Sequence, residues 1–133
     1  MYKMETQEKT SLFDQIGGMS AVNASVNIFY FKVRNDERIS HFFRWVDMEK
    51  QSQKLKTFLA YAFGAPLSYT GKSMADAHSH LLKEGLNDTH FNAVLEHLVA
   101  TLQELNVPNE LIAEAGKVAE STREAILGRL ANV

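Results

Sequence analysis

The amino-acid sequence predicts an all-α fold with a single domain. Its apolar residues recur at helical spacing almost everywhere, and no stretch alternates convincingly with a period of two. Prolines occur only at positions 66 and 108, and no repeat or low-complexity segment is visible. A chain of 133 residues is long enough to bury one core.

Two helices and a corner are predicted in the first third of the chain. The segment "SLFDQIGG" is typical of a short helix that ends at Gly17 and Gly18. Positions 20–34 form a long helix, because their apolar residues share one face. These residues are Val22, Val26, Phe29, Tyr30 and Val33. The segment "NDERISHFFRWV" follows as a corner with one or two helical turns.

Two further helices are predicted on either side of a central loop. Asp47 caps the first of them, which ends at Gly64 and Pro66. Its inward face holds Gln51, Leu55, Phe58, Leu59 and Ala62. The segment "GAPLSYTGK" forms the loop. Ser73 then caps a short helix, with Asp76 as its partner in a capping box.

The last two predicted helices are separated by the segment "NVP". Asn87 or Asp88 begins the first, and Pro108 takes a first-turn position in the second. The first carries Phe91, Val94, Leu95, Leu98 and Leu102. The second carries Leu111, Ala115, Val118, Thr122 and Ile126.

Composition and charge exclude several classes of protein. The formal net charge of -2 gives no reason to expect nucleic acid or an anionic membrane as a partner. Without cysteine there is no disulfide and no thiolate metal site, which suits a reducing cytoplasm. Residues 1–10 have no apolar core and are predicted to be a polar tail before the domain at residues 11–133. No later stretch approaches the apolar length that spans a bilayer.

The segment "SMADAHSHLL" places two histidines two residues apart. Such residues point about 200° from each other on a helix, so they cannot share one metal ion. His78 shares its helix face with Met74, Leu81 and Leu82. His80 shares its face with Asp76, Lys83 and Glu84. His78 is therefore predicted to point inward and His80 outward.

A lone buried histidine is usually a core residue, but two features favour a ligand at His78. Its helix is short and follows a long loop, so it is poorly built as a core element. The predicted inward faces also supply aromatic side chains that a flat apolar cofactor would need. These are Phe42, Phe43, Trp45, Phe58, Tyr61 and Phe91.

Metal sites built by the protein alone are not predicted. No histidine has a glutamate three residues before it, and the pattern His-Glu-x-x-His is absent, which excludes a carboxylate-bridged di-iron bundle and one class of zinc hydrolase. His90 and His97 lie too far apart on one helix to chelate together. With His41 in the corner, they are predicted at the surface or at a helix edge.

A set of segments, in order, resembles the truncated haemoglobins of the first group. The segments are "SLFDQIGG", "FYFKVRNDERISHFF", "VDMEKQ", "FLAYAFGAP", "YTGKSMADAH" and "HFNAVLEHLVATLQELNVPNELIAE". The resemblance runs from about Ser11 to Leu127 and implies a two-over-two helical sandwich around non-covalent haem b. The family's second glycine pair is replaced here by Gly64 and Ala65.

The resemblance also implies roles for particular residues. His78 matches the proximal iron ligand, and Phe43 matches the aromatic residue on the porphyrin face. Tyr30, Gln51 and Leu55 match the distal positions. Further contacts to the cofactor are expected from Phe58, Tyr61, Met74, Leu82 and Phe91. Lys72, Lys50 and Arg44 are candidate partners of the haem propionates.

Tyr30 lies in an inward stripe, and a buried phenol hydroxyl needs a hydrogen-bond partner. The partner is either a carbonyl group in the core or, if haem is present, the bound oxygen. A hydrogen bond to bound oxygen would contribute ~1.5–3 kcal/mol, as for bonds to charged groups. Oxygen would then escape on the order of tenfold to a hundredfold more slowly. Gln51 could add a second donor.

Lys54 has two possible roles. Some relatives use histidine or lysine at the matching position as a sixth iron ligand when no oxygen is bound. Only a neutral amine coordinates iron, and deprotonating a lysine at neutral pH costs roughly 4–5 kcal/mol. Alternatively, Lys54 extends outward to a propionate or to water, and this role is favoured.

The function favoured by the sequence is reversible binding of O₂, NO and CO by a cytoplasmic, monomeric haem protein. Conversion of NO to nitrate is a further possible activity. It would need a separate reductase, because no glycine-rich dinucleotide motif is present. The alternatives are a cofactor-free helical interaction or regulatory module and, with less support, a peroxidase-like enzyme. Some relatives link haem to a histidine in the last helix, but none follows His97 here.

Overall fold

Helices make up most of the computed structural model, which describes residues 11–64 and 71–129, with only the backbone for residues 62, 71–75 and 77. The α-helices in this part are α1 (Leu12–Gln15), α2 (Gly18–Arg34), α3 (Met48–Ala62), α4 (Gly71–Leu82), α5 (Asp88–Glu104), α6 (Asn109–Glu120) and α7 (Arg123–Ile126). A 3₁₀ turn, Ser40–Phe43, lies between α2 and α3. The described part contains no strand, which confirms the all-α prediction. The predicted polar tail and most of the predicted loop lie outside the described residues.

The long helices form two layers of two. Helices α2 and α3 pack together in one layer, and α5 and α6 form the other. The layers meet where α2 packs on α5 and α3 packs on α6. The short α1 packs against α2 and α6, and α4 packs mainly against α7. Among the helices described, none combines the length and the apolar character needed to cross a membrane.

The core forms around the apolar face of α2. The stripe predicted for this helix is buried along its whole length, from Val22 to Val33. Full burial of one such side chain stabilises the fold by about 1.5–3 kcal/mol. The core also contains Ile39, Phe42, Leu59, Phe63, Leu98, Leu102 and Ile112. Because α2 also packs on α1, α3 and α5, it is the central element of the fold.

A close approach of backbones fastens α1 to the end of α3. The N–H group of Phe13 donates a hydrogen bond to the carbonyl oxygen of Phe63. Gly64 follows with φ of 102°, and a Cβ atom there would lie 3.1 Å from the Cβ of Ser11. Glycine is required at position 64 both by its left-handed conformation and by this contact.

The structure differs from the sequence predictions at several helix ends. Helix α2 begins at Gly18, because Gly17 and Gly18 have φ of 116° and 66° and complete the turn within two residues. Asn87, rather than Asp88, is the N-cap of α5 and forms a capping box with His90. The capping role predicted for Ser73 and Asp76 is wrong, because α4 already begins at Gly71.

The helix predicted at the end of the chain is divided into α6 and α7. The break lies at Ser121 and Thr122, whose hydroxyl groups donate hydrogen bonds to the carbonyls of Val118 and Ala119. Side-chain hydrogen bonds of this kind compete with the continuing helix. The apolar periodicity is unaffected by the break, so it indicated one helix.

Asp36 connects the corner after α2 to helix α5. Its Oδ2 atom lies 2.7 Å from Nη2 of Arg38 and 2.6 Å from Nε2 of His97. Arg38 also reaches Glu96 on α5 at 3.1 Å. Arg38 first, and His97 second among its partners, hold the pKa of Asp36 well below its usual range. His97 therefore lies at a helix edge, as predicted, but in a mostly buried ion pair.

Replacing this carboxylate should weaken the fold in a pH-dependent way. We expect Asp36→Asn to lower the free energy of unfolding by about 1–3 kcal/mol at neutral pH, because charged hydrogen bonds are lost. The pKa of Asp36 is lowered by folding, so its contribution is present above the ordinary aspartate value near 4 and disappears as the pH falls. The difference in free energy of unfolding between the wild type and Asp36→Asn should therefore become smaller in acid.

Urea unfolding at neutral and acidic pH measures this difference. Glu37→Gln is the matched control, because Glu37 is exposed and forms no ion pair with the residues that the structure describes. An Asp36→Asn deficit that stays constant down to about pH 3 would contradict the linkage.

Candidate functional site

The centre of the candidate site is a buried phenol on α2. Tyr30 is only 7% exposed, and its ring lies edge-on to Phe29 and Phe43, with ring centroids 5.2 and 5.8 Å away. Its polar neighbour is the side-chain amide of Gln51 on α3. Burial raises the pKa of Tyr30 to about 12, although the Gln51 hydrogen bond lowers it. Tyr30 is therefore a neutral hydrogen-bond donor throughout the physiological pH range.

The polar neighbour of the Tyr30 hydroxyl is thus the Gln51 amide, which was predicted only as a second donor. The two residues were predicted on the inward faces of two different helices. Their contact depends on how α2 and α3 pack, which no sequence periodicity specifies. An amide can both donate and accept, so it orients the phenol and still leaves polar atoms for a ligand.

Several half-buried apolar side chains, here called the apolar wall, pack against the core to which Tyr30 belongs. The side chains that form it are half-buried, and they pack against the core without being fully covered by protein. They come from the corner, from α3 and from the α4–α5 region, and are Phe43, Leu55, Phe58, Leu81, Leu86 and Val94. On α3, Gln51, Leu55 and Phe58 share one face, as the helical spacing predicted. This wall suits the faces of a flat apolar molecule.

The two histidines of α4 have different environments. His78 is half-buried, whereas His80 is exposed. Helix α4 packs mainly against α7. Within residues 11–64 and 71–129, no three His, Asp, Glu or Cys side chains come close enough to hold a metal ion. A metal at His78 would therefore need a carrier molecule.

Two of the predicted site residues are placed differently by the structure. Trp45 is 90% exposed, so its prediction as an inward aromatic residue is wrong. It would share a face with Phe42 if the 3₁₀ turn continued, but that turn ends at Phe43. Leu82 is 37% exposed at the last position of α4, next to Gly128, while Leu81 packs against the core instead.

The remaining predicted residues have varied positions. Phe91 is buried on α5, and the guanidinium of Arg123 lies 4.3 Å from its ring centroid. Tyr61 is half-buried, and Lys54 is exposed on α3. The side chains of Met74 and Lys72 lie outside the described part of the structure.

A groove that the sequence pattern did not indicate lies on the outer side of Tyr30. This groove, of about 440 Å³, runs between α2 and the start of α3. Its lining residues are Val26, Asn27, Tyr30, Phe31, Arg34, Asn35, Met48 and Ser52. One signal was available, because Phe31 is a large apolar residue outside the buried stripe of α2 and is 71% exposed.

Comparisons with known proteins agree with this architecture. A family model described as bacterial-like globin matches residues 11–128. A group 1 truncated haemoglobin of Tetrahymena thermophila is 41% identical over 123 residues, covering 92% of this chain and 99% of that protein. One from a Synechocystis species is 49% identical over 111 residues, covering 83% of this chain and 90% of that protein.

Solved structures give the same result. The 2/2 haemoglobin of Synechococcus sp. PCC 7002, in the cyanomet state with covalently attached haem, superposes with a TM-score of 0.86 at 45% identity, covering 90% of this chain and 100% of that one. The Fe(III) form of truncated haemoglobin from Tetrahymena pyriformis gives 0.80 at 42% identity, covering 89% and 98%. These similarities confirm the two-over-two helical sandwich.

Proposed function

We propose that this chain, which belongs to the bacterial-like globin family and to its group 1 truncated haemoglobins, binds haem b and uses it to bind O₂, NO and CO reversibly. The observation that carries the proposal is the buried Tyr30 hydroxyl, which has the Gln51 amide as its polar neighbour and the half-buried Phe43 against its ring. A core tyrosine would need no apolar wall of half-buried side chains.

The residues present fit haem. Haem b, when bound, supplies the iron that carries the diatomic ligand and changes oxidation state. His78 would hold that iron as the proximal ligand, since a neutral imidazole is the usual axial ligand in globins. Phe43, Phe58 and Leu55 would pack on the porphyrin, with smaller contributions from Tyr61, Met74, Leu82 and Phe91. Lys72, Lys50 and Arg44 would hold the propionates.

Covalent attachment is not part of the proposal. The Synechococcus relative has covalently attached haem. This chain has no histidine after His97, so its last helices lack the imidazole expected for such a link. Haem should therefore be extractable by acidic organic solvent.

Tyr30 would act on the distal side as a hydrogen-bond donor. Its raised pKa keeps the proton on the phenol, and Gln51 holds the hydroxyl in place. Phe29 and Phe43 pack against the Tyr30 ring and hold it in position. A hydrogen bond from this donor to a ligand with partial negative charge contributes ~1.5–3 kcal/mol. O₂ would gain more from this bond than the less polar CO.

A second proposed activity is NO dioxygenation. The overall conversion of NO and O₂ to nitrate consumes one electron, which a separate reductase must supply because the chain has no dinucleotide motif. The protein would work as a monomer in the cytoplasm, a compartment that suits a cysteine-free chain.

The role of Lys54 can be assigned by absorption spectroscopy of the ferric protein. Its exposed position on α3 favours the outward role, toward a propionate or water. A six-coordinate ferric spectrum at alkaline pH that disappears in Lys54→Ala would assign the ligand role instead. An unchanged spectrum in that variant would leave Lys54 outside the coordination sphere.

Replacing His78 tests the proposal directly. We expect the purified protein to take up hemin and show a strong Soret band, and His78→Leu to lose most of the pigment and change the visible bands. His80→Leu is the matched control, because His80 is exposed on the other face of the same helix. It should bind haem like the wild type.

Absorption spectra of the hemin-titrated proteins provide the measurement. Equal pigment in His78→Leu and His80→Leu would contradict the assignment of the proximal ligand. A wild-type chain that stays colourless with hemin would favour the cofactor-free interaction module.

Removing the Tyr30 hydroxyl should speed oxygen release. We expect Tyr30→Phe to raise the O₂ dissociation rate roughly 10- to 100-fold, because ~1.4 kcal/mol corresponds to a factor of ten. CO dissociation should change much less. Stopped-flow displacement of O₂ by CO measures the rate.

The control for this variant is Ser25→Ala. It removes another buried hydroxyl from α2, one that donates to the carbonyl of Ala21 at 2.7 Å and lies outside the site. If O₂ dissociates from Tyr30→Phe no faster than from Ser25→Ala, the proposed role of the Tyr30 hydroxyl is wrong.

A further inference from the structure

The cations whose side chains the structure describes differ in their partners. Lys32, Arg38, Arg123 and Arg129 form ion pairs with carboxylates. Apart from Arg38, the cations between the end of α2 and the middle of α3 form no ion pair with any residue that the structure describes, namely Arg34, Arg44, Lys50, Lys54 and Lys56. Lys83 and Lys117 are also unpaired, but each is isolated on another element.

Few carboxylates compensate this run of cations. Asp36 is already engaged by Arg38 and His97, and Asp47 accepts the N–H groups at the start of α3. Only Glu37 and Glu49 remain in this stretch. The region is therefore locally positive in a chain whose formal net charge is -2.

The same region exposes the two least-buried large apolar side chains. Trp45 is 90% exposed and Phe31 is 71% exposed. Exposed aromatic residues among cations are typical of protein–protein interfaces, where tryptophan and arginine contribute most of the binding energy. Neither aromatic residue contributes to the core, so their exposure serves no packing purpose in this fold.

A groove joins these features to the distal side of the site. Phe31 and Arg34 line it from α2, and Met48 and Ser52 line it from α3. Lys56 lies one turn beyond Ser52, and Trp45 lies three residues before Met48. The inner wall of the groove is Tyr30, whose hydroxyl has the Gln51 amide as its polar neighbour. A molecule in this groove would be separated from the proposed ligand site by one aromatic side chain.

We propose that this α2–α3 surface, formed by Phe31, Arg34, Trp45, Met48, Ser52 and Lys56, is the docking site of an acidic electron-transfer protein. The inference rests on the proposed function, because NO dioxygenation needs one electron from outside the chain. Arg34 and Lys56, which are not among the candidate propionate partners, would steer an acidic carrier to the surface, and a carboxylate of the carrier would enter the groove beside Arg34. Phe31 and Trp45 would supply the apolar contact.

The size and position of the surface suit such a carrier. Complexes between redox proteins are small and transient, so a few cations around two aromatic anchors are sufficient. Electrostatic steering raises association rates and weakens as salt is added. A carrier docked here would lie next to Tyr30, which lines the groove.

The test follows reduction of the haem-loaded ferric protein under CO. A plant-type [2Fe–2S] ferredoxin, a strongly acidic carrier kept reduced, is the probe, and the band of the ferrous CO complex reports the rate. Between about 20 mM and about 500 mM salt, the wild-type rate should fall at least roughly tenfold. Dithionite, a small reductant that needs no docking, should reduce every variant at the wild-type rate.

Three variants distinguish electrostatic steering of the carrier from direct contact with it. Arg34→Glu should slow the ferredoxin reaction several-fold at low salt and approach the wild type at high salt. Trp45→Ala should slow it at both, because it removes contact rather than charge. Lys117→Glu is the matched control, since Lys117 is also exposed and unpaired but lies on α6. Calorimetry with oxidised ferredoxin measures binding without electron transfer. It should rank the affinities of the variants in the same order as their reduction rates at low salt.

The outcomes are distinguishable. The docking surface is overturned if Arg34→Glu and Trp45→Ala react like the wild type, or if Lys117→Glu is slowed as much as Arg34→Glu. It is also overturned if the protein binds phosphatidylglycerol vesicles through Arg34 while its rate of reduction by ferredoxin does not depend on the salt concentration. A chain that takes up no hemin would instead overturn the proposed function, and this surface with it.

Discussion

The burial of one face of α2 is the constraint on which the rest of the structure depends. Val22, Val26, Phe29 and Val33 are each almost fully covered, and the helix packs on α1, α3 and α5. Tyr30 lies within the same stripe, so the packing that forms the core also fixes the phenol of the candidate site. A small displacement of α2 would change stability and ligand binding together.

The Tyr30–Gln51 pair shows how a polar site is kept within this apolar packing. A buried hydroxyl without a partner costs about 1–3 kcal/mol, whereas a made hydrogen bond returns only about 0.5–1.5 kcal/mol. Gln51 therefore contributes mainly by sparing the Tyr30 hydroxyl the cost of burial without a polar neighbour. Within the described residues no buried side-chain polar atom lacks a partner, which indicates that the site can be polar without weakening the core.

Periodicity predicted the parts of the fold in which one face is continuously apolar. The stripes of α2, α3 and α5, the Asp47 cap and the inward face bearing Gln51, Leu55 and Phe58 all followed from spacing. The role of His78 rests on spacing together with the family resemblance and stays a prediction, although its half-buried position agrees with it.

The wrong predictions share a physical cause, because each depends on where a helix begins or ends. Trp45 is exposed because a 3₁₀ turn stops two residues earlier, and Ser73 is not a cap because α4 starts before it. Local hydroxyl hydrogen bonds divide the last helix at Ser121 and Thr122 without changing the apolar pattern. Contacts between helices, such as Tyr30 with Gln51, are invisible to spacing within one helix.

Among the described residues, the ion pairs join helices, whereas most of the unpaired cations lie between the end of α2 and the middle of α3. Asp88 illustrates the ion pairs, because Arg129 and Arg123 lower its pKa to about 2 and tie the start of α5 to the end of the chain. Exposed pairs of this kind contribute little singly, and their value lies in closing junctions between helices. Arg34 closes no junction, and its charge acts on the fold only through the favourable end of the α2 dipole. Its exposed position beside Phe31, in the groove behind Tyr30, leaves its guanidinium accessible to the proposed partner.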